Sequence, residues 1–184
     1  MNKVLSIMCL IIVTLGLTVN ADSPPQFVFE ARQVANIYQS ELKKSLLSAM
    51  RSGGPKMGVE VCKKKALGVA QEVGHESQWS VRRISLKTRN ASNKPNENEG
   101  KILEHFEMQA AKDKSVQELE WWGTNSGQQI YMKAIPTSDL CLTCHGKNVD
   151  SELEAIISKH YPQDKAHGYV LGEIRGAFVL EKLN

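Results

Sequence analysis

The chain has 184 residues, of which 41% are hydrophobic and 23% charged, and its formal charge is +3. That length suits one ordinary domain with a real core, and so small a net charge gives no argument for a nucleic-acid partner. An aromatic content of 6% is modest, yet the mixed composition excludes disorder on the scale of a whole domain.

The N-terminus points to export. Lys3 is a short positive n-region, "VLSIMCLIIVTLGL" (4–17) an apolar h-region, and "VNA" (19–21) offers a small residue for cleavage. The apolar run falls short of the roughly 20 residues that span a bilayer. Residues 1–21 are therefore read as a signal peptide and 22–184 as a single domain, periplasmic or secreted from a bacterium, with no stable membrane insertion after cleavage. Cleavage removes Cys9 and leaves Cys62, Cys141 and Cys144. An odd number of cysteines in an oxidising compartment leaves one to account for.

"FVFEARQVANIYQSELKKSLLSAMRSGG" (27–54) predicts an amphipathic helix carrying Val34, Ile37, Leu42, Leu46 and Met50 on its apolar face, stopped by "SGGP". "MGVEVCKKKALGVAQEVG" (57–74) predicts a second, with Val59, Cys62, Ala66, Val69 and Val73 on one stripe and Lys63, Lys64 and Lys65 in solvent. "WSVRRISLKTR" (79–89) predicts a strand on which Arg82 and Arg83 point to opposite faces. A polar turn (90–100) leads to a helix over roughly 101–112. "VQELEWWG" (116–123) and "GQQIYMKAIP" (127–136) then pair across "TNS", with Trp121 and Trp122 on opposite sides. After "CLTCHG" (141–146) come a short helix near 151–160, a loop and a last strand over 169–181. Helices first and then interrupted strands predict an α+β domain with a mainly antiparallel sheet.

"CLTCHG" carries the chemistry. Two cysteines spaced C-x-x-C with a following histidine read as a c-type haem attachment site. On one helical turn Cys141 and Cys144 project on the same side, so their sulfurs reach one edge of a flat macrocycle. His145 then presents an imidazole nitrogen to the iron, and Gly146 lets the chain turn away at close quarters. Thr137, Ser138 or Asp139 is placed to cap the turn. A thiol-disulfide motif would want a βαβ context, which is missing, and a zinc site would want two more ligands at local spacing. One such motif means one haem c per chain.

The far side of the iron is open on residue reasoning. Met57, Met108, Met132, His75, His105, His160 and His167 are all available, and spacing does not choose among them. Cys62 has a chemical claim, because a free thiol in this compartment is a liability unless buried or bound. Its place on an apolar stripe fits an inert core cysteine equally well. Arg82, Arg83, Arg89 and Arg175 are candidates for a haem propionate, each also readable as an ordinary ion pair.

Four segments together resemble a known family: "GVEVCKKKA" (58–66), "RRISLKTRNASNKPNE" (82–97), "YMKAIPTSDLCLTCHG" (131–146) and "YPQDKAHGYVLGEIRGAFVL" (161–180). The family comprises exported c-type haem domains with a PAS-like fold, found as stand-alone cytochromes and as sensor regions. Leu67 stands where that family often has proline. The resemblance implies a covalent haem c with His145 and Cys62 as its two axial ligands. Thiolate opposite imidazole implies a low reduction potential. The expected function is low-potential electron transfer or redox signalling with an unidentified partner protein, and not an enzymatic one. The rival is a haem-based sensor of a diatomic gas acting through a partner.

Overall fold

A computed structural model of the protein describes residues 23–112 and 115–183. The expected signal peptide, 1–21, lies outside the described residues.

Helix α1 (Gln26–Ser77) is broken at Gly53 and Gly54, and Gly54 takes φ 68° and ψ −167°, which a side chain would resist. Pro55 then opens the second arm, where its missing N–H costs nothing. The two predicted helices are thus the arms of one hairpin. Gly58 lets the arms close: a Cβ there would stand 3.1 Å from Leu46 Cδ1 and 3.3 Å from Met50 Cγ.

Both arms bury one face. Val28, Ala31, Val34, Ala35 and Tyr38 of the first arm join Ala70 and Val73 of the second in a cluster with Trp79, Val81, Tyr131, Phe178 and Leu180. Ile37, expected on this face, is 52% exposed. The buried stripe runs instead through Ala31 and Ala35, whose small side chains admit the helix close to the sheet.

Four strands, β1 (Trp79–Ile84), β2 (Glu120–Asn125), β3 (Gln128–Pro136) and β4 (Ile174–Lys182), form an antiparallel sheet in the order β1-β4-β3-β2. Side chains alternate across it. Trp79, Val81, Tyr131, Phe178 and Leu180 face α1. Ile84, Met132, Ala134, Ala177 and Val179 face helix α2 (Glu97–Ala110), packing on Leu103 and Phe106. The result is the expected α+β class, a sheet between a helical hairpin and a single helix. Helices α3 (Asp139–His145) and α4 (Ser151–His160) lie in the crossover from β3 to β4.

Several boundaries differ from the sequence reading for local reasons. α2 begins at Glu97, not near 101, because Asn96 and Glu99 form a reciprocal capping box. β1 stops at Ile84 rather than 89, where Ser85 Oγ donates to the Arg175 carbonyl at 2.8 Å and draws the chain out of the ladder. β2 starts at Glu120 because residues 116–118 wind as a 3-10 turn. The β2–β3 turn is Ser126–Gly127, with φ 50° and 84°, as a tight hairpin requires. β4 begins at Ile174 rather than 169, since Gly172 (φ 84°) turns back to donate to the Thr137 carbonyl at 2.9 Å.

A polar clasp ties α1 to the sheet. Arg32 Nε donates to both oxygens of Glu120, at 3.1 and 3.0 Å, and its Nη2 closes a second bond. Tyr131 O–H donates to the same carboxylate at 2.7 Å. Burial favours the neutral acid, but the Arg32 and Tyr131 hydrogen bonds outweigh it and hold Glu120 below its ordinary value of 4.5. A depressed folded pKa contributes stability above that ordinary value and loses it as pH falls through the folded one. Urea denaturation at pH 7 is expected to show Glu120→Gln less stable by about 1–3 kcal/mol. The gap to wild type should narrow as the titration is repeated at pH values progressively below 4.5.

Candidate functional site

The C-x-x-C-H turn is hung from the sheet. Thr137, just past β3, donates its N–H to the Glu173 carbonyl at 2.8 Å and accepts from Gly172 N–H at 2.9 Å. Ser138 is the N-cap of α3, but its hydroxyl makes no capping bond and lies 3.3 Å from Cys141 Sγ. Cys141 and Cys144 are free thiols, half-buried and one turn apart. Burial first of all, with smaller contributions from the neighbouring cysteines, pushes the Cys144 thiol up. Gly146 is required by close approach, since a Cβ would stand 2.6 Å from the Leu142 carbonyl oxygen. Beyond it, Gly168 N–H donates to the Gly146 carbonyl and Tyr169 N–H to that of His145, each at 3.0 Å.

These straps orient His145. Its Nδ1 is 2.7 Å from the Ala166 carbonyl oxygen, which can only accept, so Nδ1 carries the proton and Nε2 keeps its lone pair. Nε2 receives Arg175 Nη1 at 3.2 Å. Burial, then the positive charges of Arg175 and Arg89, keep the His145 pKa well below 6.5. The ring is therefore neutral at pH 7, with one nitrogen fixed and the other able to bind a metal.

Arg89 braces this arrangement. Its Nε donates to Asp164 Oδ2 at 3.1 Å, and its Nη2 donates to the carbonyls of Cys144 at 2.7 Å and Ala166 at 3.2 Å. Asp164 Oδ1 also accepts from Ala166 N–H at 2.8 Å. The sequence reading missed Asp164 and Ala166, leaving both in an unassigned loop. A backbone acceptor has no sequence signature; the aspartate in a Pro-Gln-Asp turn was the available hint.

The other arginines divide by strand face. Arg82 is ion-paired with Glu99 and Glu181 on the α2 side, a structural role. Arg83 belongs to the α1 side with Trp79 and Val81. Its charge depresses both His145 and Arg175, behind burial as the main cause. Arg175 Nε is buried without a hydrogen-bond partner.

The second arm of α1 brings Cys62 to the same neighbourhood. Val59, one turn earlier, packs with Leu153 and Ile157 of α4 and against Cys144 and Tyr161. Cys62 is half-buried and close enough to Cys144 and Tyr161 to act on their ionisation, behind burial as the main cause. Met132 is fully buried against α2, across the sheet from Arg83. Met57 and Met108 are exposed, as are His75 and His105, while His160 is half-buried at the end of α4. His167, also exposed, lines a cleft of about 140 Å³ with Arg89, Cys144 and Asp164. A larger cleft, of about 400 Å³, touches α3 only at Thr143.

The donor set discriminates between metal types. Among the described residues no three His, Cys, Asp or Glu side chains gather to hold an ion by themselves. A structural zinc needs four such ligands, whereas a macrocycle brings its own nitrogens and asks the chain for one or two more. A histidine whose Nε2 carries a lone pair and no proton, a nearby cysteine, two thiols on one turn and guanidinium groups without a carboxylate partner fit a haem.

Replacing Arg89 by alanine strands the Cys144 carbonyl and takes the counter-charge from a half-buried Asp164. Guanidinium denaturation is expected to register a loss of about 2–4 kcal/mol. Arg89→Lys should recover little of it, because one ammonium cannot reproduce the planar fork.

No curated protein matches this chain. The crystal structure of the cyanobacterial heme-protein Tll0287 is similar in fold, with a TM-score of 0.58 and 23% sequence identity over 84% of this chain and 90% of that one. The family model described as Tll0287-like matches residues 21–181, which takes in both arms of α1, all of the sheet except the last residue of β4, and the C-x-x-C-H turn. On that match, the chain belongs to the Tll0287-like family.

Proposed function

We propose that the protein is an exported, single-haem c-type cytochrome with a PAS-like domain, working in low-potential electron transfer or redox signalling and turning over no substrate. Cys141 and Cys144 hold the haem covalently, and His145 and Cys62 are its axial ligands. It acts outside the cytoplasm, in the periplasm or beyond, on a partner protein that exchanges electrons with it. The observation that carries this reading is the His145 ring, tied at Nδ1 to the Ala166 carbonyl at 2.7 Å with its Nε2 lone pair free of a proton. The heme-protein named among the similar folds supports it.

A bound haem supplies one-electron iron chemistry, at a potential that a thiolate ligand lowers relative to a methionine/histidine pair. The chain's own residues do the remainder. The Ala166 carbonyl accepts a hydrogen bond from Nδ1–H and so sets the tautomer and basicity of His145. Cys62 comes from a helix that packs on α4 through Val59, so its approach is governed by the α1 hairpin and not by the C-x-x-C-H turn.

The test is to mature the protein with haem and record its mass, absorption and electron paramagnetic resonance spectra beside Cys62→Ala. The expected result is one haem per chain surviving denaturation, lost in the Cys141→Ser, Cys144→Ser double variant. The oxidised protein should give a low-spin thiolate signature that disappears in Cys62→Ala. Identical spectra for the two proteins would remove Cys62 from the iron. Ready carbon monoxide binding by the reduced wild type would favour the gas-sensor reading over electron transfer.

A further inference from the structure

On the α1 side of the sheet the charges do not balance. Arg83, Arg89 and Arg175 all act on His145. Asp164 is the one carboxylate paired within this group, 3.0 Å from Arg89. Arg83 and Arg175 form no ion pair among the described residues, and Arg175 Nε donates to nothing. Glu173, the nearest acid along β4's approach, is exposed and accepts from Val170 N–H at 3.0 Å. Two guanidinium groups close to each other and short of counter-charge are costly, and such sites bind carboxylates or phosphates.

We propose that Arg175 and Arg83 form a carboxylate clamp that holds the two propionate groups of the haem; this rests on the haem reading above. The Arg175 contact with His145 Nε2, at 3.2 Å, uses the same lone pair that an iron ligand must donate. One nitrogen cannot serve both. A His145 bonded to iron releases Arg175 from its side-chain partner, and the released cation needs an acceptor. The backbone aims Arg175 at this face by a local irregularity. Gly176 takes φ 152° and runs so near β1 that a Cβ would stand 2.1 Å from the Ile84 carbonyl oxygen. Two planar forks with no carboxylate partner among the described residues match two carboxylates in number and in shape.

The test uses the haem-loaded chain as wild type, Arg175→Met, Arg83→Met and Arg175→Lys. Resonance Raman spectroscopy reads the propionate bending modes, and guanidinium titration reads the folding equilibrium. Each methionine variant should shift a propionate mode and lower the folding constant roughly 10- to 100-fold, the range for losing a hydrogen bond to a charged group. Arg175→Lys should return the mode part of the way. If Arg175→Met does not fold, Arg83→Met and Arg175→Lys carry the same readout. Propionate modes unchanged in every variant that folds would overturn the clamp, whatever the stabilities do. A wild-type chain that takes up no covalent haem is a separate failure, visible in its mass, and it removes the haem reading together with the clamp.

Discussion

The hydrogen bond from His145 Nδ1–H to the Ala166 carbonyl decides what the rest of the site can be. It fixes the tautomer and the ring plane together. It would be weak if Ala166 were free to move, so the surrounding bonds serve to hold that carbonyl. Asp164 receives the Ala166 N–H, Arg89 spans Asp164, Ala166 and Cys144, and Tyr169 N–H reaches back to the His145 carbonyl. A short helix of seven residues is thereby locked to a loop about twenty residues downstream.

The sheet sorts the charges. Its two faces are both apolar near the middle, but toward the end where β1 meets the β4 bulge they diverge. Arg82 leaves on the α2 side, where Glu99 and Glu181 satisfy it. Arg83 leaves on the α1 side, where Arg175 is its neighbour. One face is thus electrically closed and the other carries a positive excess beside His145. Strand alternation separates Arg82 from Arg83, the β4 bulge turns Arg175 to join Arg83, and the proposed haem reading gives the asymmetry a use.

The α1 hairpin contributes at a distance. Its first arm is fixed by close alanine packing and by the Arg32–Glu120–Tyr131 clasp. Its second arm returns along the first and carries Cys62 past α4. The covalent anchors and one ligand therefore come from the β3–β4 crossover, while the other proposed ligand comes from a separate layer. A change in how tightly the second arm packs would alter the Cys62 side of the site and leave the His145 side in place.

The local chemistry was legible in the sequence because it depends on near neighbours. The i, i+3 spacing of Cys141 and Cys144, the need for glycine at 146 and the break at Gly53–Gly54–Pro55 each follow from one or two turns of backbone. The Asn96–Glu99 capping box was equally local, but both residues fell inside the stretch read as a polar turn, 90–100. Which apolar residues of α1 are buried was not legible, since Ala31 outranks Ile37 only once the distance to the sheet is set. The division between Arg82 and Arg83 was foreseen as opposite faces, but which face held acids depended on α2 packing. The Ala166 carbonyl and the nearness of Cys62 to Cys144 belong to the tertiary structure alone. Both are contacts across long stretches of chain, made by layers whose stacking no local pattern encodes.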